Sequence, residues 1–243
     1  MMPAVLAIAT RLLIVLAFVL LAIDAIEART LERTQSIRSA RCLQGAELNE
    51  SLSALKLQEG NTVNKAAELL LTNARTVPEC RTQILEALIS SMALATNPTA
   101  NNYENYFLWL HGTSLLAELK ATEALDLLVS NLDLSDGWST SISQSHFPAL
   151  VAVLKIGPPA IPKLQIVLRN DSQAYRRNFA AFAIAYIGGS QARRALTSAL
   201  PGETDPCVKN FLLISLQAFN NKANPNHISS ALNGKWLSAF YCQ

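Results

Sequence analysis

The chain repeats itself with an offset of 32 residues, and this repeat constrains its fold more than any other feature. Residues 157–168 (GPPAIPKLQIVL) align with residues 189–200 (GSQARRALTSAL), and residues 177–179 (RNF) recur as residues 209–211 (KNF) at the same offset. An earlier copy, residues 121–132 (ATEALDLLVSNL), precedes the first by 36 residues. Self-similarity at a spacing of roughly 20–50 residues indicates a stacked repeat architecture.

The pattern within each copy predicts helices. Ala160, Leu164 and Leu168 are spaced four apart, so they fall on one stripe of a helix. The preceding segment, residues 179–187 (FAAFAIAYI), is apolar nearly all round, and such a helix must be covered on several sides. A helix pair of this kind cannot bury its apolar face alone, so the pairs are expected to stack.

Glycines mark the ends of the predicted helices. Gly157 and the pair Gly188-Gly189 each follow an apolar helical segment. Glycine tolerates the positive φ at which helices commonly end, so these three residues are predicted to be structural. Pro158 and Pro159 then begin the next helix, where a missing N–H costs little.

The residues of these copies resemble HEAT repeats, most closely the short form first noted in phycobilisome lyases. The resemblance rests on Leu154-Lys155-Ile156-Gly157, Ala160-Ile161-Pro162, Leu164, Asp171, Arg177, Ala180-Ala181 and Ile187-Gly188. It covers residues 147–219 and is weaker over 104–132. It implies an all-α fold, a right-handed α-solenoid of stacked antiparallel helix pairs with helical caps. It also implies that Arg177 is structural, with Asp171 or Asp205 as acidic partner, and that Lys209 occupies the equivalent position without the guanidinium fork.

Four regions follow from this reading. Residues 1–28 are predicted to be a signal peptide, residues 29–102 an N-terminal helical region, residues 103–220 the HEAT-like repeats and residues 221–243 a C-terminal capping helix. In the second region, residues 62–75 and 79–95 have helical apolar faces, and a helix break is expected near Gly45.

The amino terminus indicates export. Residues 12–23 are uncharged and apolar, Arg11 precedes them, and small residues Ala25 and Ala28 follow as cleavage points, which is the pattern of a secretory signal peptide. The alternative is an uncleaved anchor, which would have to recruit residues 3–10 and include Arg11. Under both interpretations the rest of the chain leaves the cytoplasm, as a periplasmic or secreted protein or as one anchored to the outer side of a membrane.

The four cysteines fit an oxidising compartment. Cys42, Cys80, Cys207 and Cys242 all lie beyond the leader, and none forms a CxxC motif. Three pairings are possible. Cys42–Cys80 with Cys207–Cys242 is favoured because neighbouring helices of a stack meet locally, while buried thiols remain the alternative.

No catalytic or ligand signature is present in the sequence. His111, His146 and His227 have no catalytic context, and the chain lacks a phosphate-binding glycine loop, GxSxG, HExxH and paired-carboxylate motifs. The chain is therefore expected to have no intrinsic catalysis, no metal and no cofactor. Its hydrophobic content of 50% excludes a disordered chain, and its formal net charge of +2 argues against nucleic acid as a partner.

Two groups of residues are the main candidates for an interaction site. Arg176, Arg193 and Arg194 fall in consecutive repeats and could form a positive patch for an acidic partner, although ordinary solvation explains them as well. Trp138 lies in the polar insertion 133–145 at a repeat junction, where it either anchors a partner or packs back onto the stack. The aromatic residues Tyr103, Tyr106, Phe107 and Trp109 are expected to pack in the core.

The sequence thus favours an exported scaffold that binds a protein partner of unknown identity. The alternative is a lyase-like or chaperone-like protein that handles a small prosthetic group, and its support is the repeat subtype alone. A third interpretation is a structural domain of a larger assembly, which differs from the scaffold only because its contacts with its partners are permanent.

Overall fold

The computed structural model describes residues 41–58, 60–95, 102–135 and 146–220. Every regular element in these residues is a helix, as the repeat pattern predicts. The ten α-helices of the described residues are α1 (Ala46–Ala54), α2 (Asn61–Thr76), α3 (Pro78–Leu94), α4 (Tyr103–Glu118), α5 (Leu125–Ser130), α6 (Pro148–Ile156), α7 (Ile161–Asn170), α8 (Ala174–Ile187), α9 (Gly189–Ala199) and α10 (Pro206–Asn220). Short 3₁₀ turns precede α5 and α7 and follow α9.

The chain divides into two compact units, Met1–Cys42 and Leu43–Gln243. All ten helices belong to the second unit. The predicted signal peptide 1–28 and capping helix 221–243 lie outside the described residues, as does the larger part of the polar insertion.

The helices of the second unit contact one another in an alternating order. Successive helices pack against each other except α4 with α5 and α6 with α7, which have little contact, and the even-numbered helices also contact in the series α2, α4, α6, α8 and α10. Helices α5, α7 and α9 make a second series of contacts. The unit therefore has two layers, each formed by alternate helices of the chain.

The repeat positions occupy the interface between these layers. Ala160, Leu164 and Leu168 are all buried, and so are Ala192 and Leu196 at the aligned positions. In the earliest copy, Ala124, Leu128 and Leu132 are fully buried. The spacing of four therefore does place these side chains against the neighbouring layer.

Helix α8 is enclosed on all sides. Residues 178–185 are buried without a break, and Phe179 packs edge-on against Phe147 with ring centroids 5.0 Å apart. Its alanines present little bulk, so α6, α7, α9 and α10 can all approach it. This matches the sequence expectation for a helix that is apolar all round.

The N-terminal helices bury narrower faces. Helix α2 buries Val63, Ala66, Leu70 and Ala74, a spacing of three or four residues. Helix α1 begins directly after Gly45, whose φ is 51°, at the expected break. Between α3 and α4, Gly112 lies so close to Met92 that an added Cβ would stand 2.6 Å from the sulfur.

Two side chains bind backbone carbonyls that follow the end of another helix. Arg81 Nη2 donates to the carbonyl of Leu119, 3.1 Å away, just beyond α4. His111 Nε2 lies 3.2 Å from the carbonyls of both Leu57 and Gln58, beyond α1. A carbonyl can only accept, so this nitrogen carries the proton. These bonds satisfy acceptors that a helix end leaves open.

No single helix among those described is long and apolar enough to cross a membrane. The segments Pro148–Ile156 and Pro158–Asn170 are together long and apolar enough, judged by length and composition alone, but their axes differ by 111°.

Candidate interaction surface

The structure separates the residues that the sequence grouped as an interaction site. Arg193 and Arg194 are exposed on α9, whereas Arg176 lies on α8 with only 17% of its side chain exposed. Trp138 lies outside the described residues. The arginine group is therefore two sets of residues with different surroundings.

Arg176 is engaged inside the fold by three groups. Its Nε donates to Asp171 Oδ2 at 2.8 Å, its Nη1 to Asp133 Oδ1 and its Nη2 to the carbonyl of Ser130 at 3.0 Å. Burial lowers the pKa of Arg176, but its hydrogen bond to the Asp171 carboxylate and the charge of Asp133 outweigh burial and raise it. These bonds hold the guanidinium of Arg176 against groups of its own chain.

The same contacts fix the start of the polar insertion. The other carboxylate oxygen of Asp133 accepts a hydrogen bond from the Tyr175 hydroxyl at 3.2 Å. Burial, followed by the charge of Asp133, raises the pKa of Tyr175, so it remains a donor at neutral pH. Asp133 is thus held by two adjacent side chains of α8, in a repeat later in the chain.

Arg177 forms a bidentate ion pair with Glu203. Its Nε and Nη2 each lie 2.8 Å from one carboxylate oxygen, and its Nη1 donates to the carbonyl of Asp171 at 2.8 Å. The acidic partner is therefore Glu203 and not the expected side chains of Asp171 or Asp205. Glu203 follows the 3₁₀ turn that ends the next repeat, 26 residues beyond Arg177.

Glu203 is one of the most enclosed carboxylates in the described residues, with 5% of its side chain exposed. Burial raises its pKa, but the hydrogen bonds from Arg177 and from the backbone amide of Asp205 outweigh burial and lower it. Asp205 in turn accepts from the amides of Cys207 and Val208, at the start of α10. The pair therefore links α8 to the segment that caps α10.

The equivalent position in the next repeat has a different environment. Lys209 is exposed, while Phe211 is buried like its counterpart Phe179. The apolar part of the repeat is thus retained in both copies, and the buried ion pair occurs in one of them.

Helices α7 and α9 form a face with positive charge. Together they contain Lys163, Arg169, Arg193 and Arg194 and no acidic residue. Lys163 is paired with Asp126 of α5. Arg169 and Gln165 both bind Ser198 Oγ, at 2.7 and 3.2 Å, which joins the two helices along their outer edge. We call the exposed residues of α7 and α9 the basic face.

The basic face also has an exposed apolar residue that the sequence reasoning did not single out. Ile166, between Gln165 and Arg169 on α7, is 58% exposed. Its position in the sequence is off the buried helical stripe of Leu164 and Leu168, and this position indicates an exposed side chain. An isoleucine among arginines gives this surface an apolar contact in addition to charge.

No group of three or more His, Cys, Asp or Glu side chains within the described residues is placed to hold a metal ion. His111 binds backbone carbonyls, His146 lies just before α6, and His227 falls outside the described residues.

The described cysteines are oxidised. Cys42 and Cys80 lie at disulfide distance, the favoured pairing. Cys207 is also disulfide-bonded, and its predicted partner Cys242 lies outside the described residues.

The predicted structural glycines have the backbone conformation that their role requires. Gly157 ends α6 with φ 85° and ψ −140°, and Gly188 ends α8 with φ 75° and ψ −168°. Gly189 has φ 83°. Residues with a Cβ rarely adopt these angles.

Comparison with protein-family models, with curated proteins and with solved structures finds no match for this chain.

Proposed function

We propose that this protein is an exported α-solenoid of the HEAT type that binds an acidic protein through its basic face. The observation that carries the proposal is the composition of α7 and α9, which hold four basic residues and no acidic residue around the exposed Ile166. Stacked repeats bind partners through surface spread over several helices, and a surface of one charge favours partners of the other.

The alternating contacts support the solenoid. Helices α4, α6, α8 and α10 contact in series, and α5, α7 and α9 do the same, as alternate helices do in a stack of helix pairs. The buried ion pair of Arg177 with Glu203 and the bonds of Arg176 to Asp133 join consecutive pairs. A stack held in this way has a defined outer surface for binding.

Crosslinking from a defined position tests the binding proposal. A photoreactive amino acid at position 166 in the native host should yield an adduct with another chain, because this residue lies within the basic face. The matched control is the same amino acid at position 90, an exposed residue of α3. The adduct should be lost in the Arg193→Glu/Arg194→Glu background. Equal adducts from both positions, or none from either, would refute the proposal.

The disulfides support export, because such bonds persist in oxidising compartments. Intact mass of the protein from its native host tests this part. A chain that begins near residue 26 or 29 and accepts no alkylating reagent until it is reduced is expected. Four thiols that react without a reductant would contradict export.

A further inference from the structure

The two ends of the helical unit carry opposite charge. Residues 43–118 contain eight acidic and four basic residues, while residues 155–220 contain three acidic and eight basic residues. Two of the three acids in the second range, Asp171 and Glu203, are engaged by Arg176 and Arg177. The excess positive charge therefore lies on the exposed residues of the C-terminal helices.

The acidic end has an open groove. It lies between α1 and α2, has a volume of about 410 Å³, and is lined by the apolar Leu43, Ala54, Ala66 and Leu69. Glu47 and Glu50 line it from α1, and Lys65 lines it from α2. Leu69 is 46% exposed. We call this feature the acidic groove.

The basic face has the complementary composition. The acidic groove offers apolar walls beside two carboxylates, and the basic face offers the exposed Ile166 beside Arg169, Arg193 and Arg194. An aliphatic side chain in an apolar groove with opposite charges around it combines apolar burial with charge complementarity.

We infer that a second copy of this chain is a partner of the basic face, with Ile166 of one copy seated in the acidic groove of the next. This inference rests on the proposed function, since it names the acidic partner of the same face. The two surfaces differ, so the contact is head-to-tail and a pair of copies keeps one unfilled basic face and one unfilled acidic groove. Association therefore continues from copy to copy until a ring closes or a filament forms.

Sedimentation of the full chain with its disulfides intact tests the inference. At low salt the average mass should rise with protein concentration. At a given concentration, added salt should lower the average mass, because salt screens the attraction between the opposite charges. Glu47→Lys/Glu50→Lys and Arg193→Glu/Arg194→Glu should each weaken self-association about tenfold or more. All four residues are exposed, so circular dichroism should show unchanged helix content in both variants.

Mixing the two variants provides the decisive comparison. The first variant is basic at both surfaces and the second is acidic at both, so an equimolar mixture should regain the association that each lacks alone. Variants that associate like the wild type, a mixture that stays monomeric, or a wild type that is monomeric at every concentration would each overturn the inference.

The crosslinking experiment separates this inference from the proposed function. An adduct of twice the chain mass from position 166 supports both. An adduct with a different acidic protein, together with a monomeric wild type, overturns self-association and leaves the proposed function intact. The absence of any adduct overturns both.

Discussion

The N-terminal helices α1–α3 and the C-terminal helices α6–α10 pack in the same alternating way but are held together differently. In the C-terminal region, the guanidinium of Arg177 and the carboxylate of Glu203 are 12% and 5% exposed. The N-terminal region has the Cys42–Cys80 disulfide, and the pair of Arg75 with Glu118 is about half exposed on both sides. Exposed pairs contribute little, whereas loss of one partner from a buried pair is costly.

This difference shows where the repeat sequence determines stability. In the C-terminal region the buried apolar positions lie within the repeated segments, and Arg177 of the buried ion pair occupies a position that aligns with Lys209 of the next repeat. In the N-terminal region, which has no detectable repeat, a covalent bond joins the segment before α1 to α3. Four measurements test this comparison.

The largest expected effect is loss of the N-terminal disulfide. Cys42→Ala should lower the free energy of unfolding by about 4 kcal/mol, because the bond closes a loop of about 40 residues in the unfolded chain. The variant keeps the buried Cys80 side chain, so no cavity forms there. Urea unfolding gives the magnitude, and amide exchange should show α2 and α3 losing protection before α8. Equal loss of protection in α8 would contradict the comparison.

The next effect is loss of the buried ion pair. Arg177→Met should lower the free energy of unfolding by about 3 kcal/mol, because Glu203 is left buried without its partner. The matched control is Arg75→Met, which removes a half-exposed pair and should cost less than about 1 kcal/mol. Urea unfolding of both variants gives the two values. Similar losses would show that the two regions are not held differently.

A smaller effect is expected at the end of α6. Gly157→Ala should cost about 1–3 kcal/mol, because the backbone there has φ 85° and ψ −140°. An added Cβ would meet no atom within 4 Å, so the cost is backbone strain alone. Gly202→Ala is the control, since that glycine also has open space but no positive φ. A thermal melt in which both variants match the wild type would refute the strain argument.

The smallest expected effect is a pH dependence of the stability difference between the wild type and Arg177→Met. The folded-state pKa of Glu203 is lowered, so its contribution is complete above its unfolded pKa of about 4.3 and disappears as pH falls through the folded value. The stability difference between wild type and Arg177→Met should therefore narrow as the pH falls through the acidic range, because protonation of Glu203 removes the ion pair in the wild type and the unpaired buried charge in the variant. In the Glu203→Gln background, the stability cost of Arg177→Met should not change with pH in this range. A difference that stays constant down to about pH 3 would contradict it.

The sequence predicted the helices better than the side-chain partners. The spacing of Ala160, Leu164 and Leu168 is a local property of one helix, so it could be read along the chain. The environment of Arg176 depends on Asp133, which lies 43 residues earlier. The exposure of Ile166 likewise depends on which helices cover α7. Such properties follow from the packing of distant segments, which periodicity does not encode.

The close contact of α3 with α4 has a chemical consequence. Met92 is fully buried, and its sulfur lies over the bare Cα of Gly112, which leaves no room for an oxygen on that atom. A sulfoxide is larger and more polar than a thioether, so it can form only when the two helices have separated. Where an oxidant is present, oxidised Met92 would therefore arise only from molecules in which this contact had opened, so its fraction would report opening between α3 and α4.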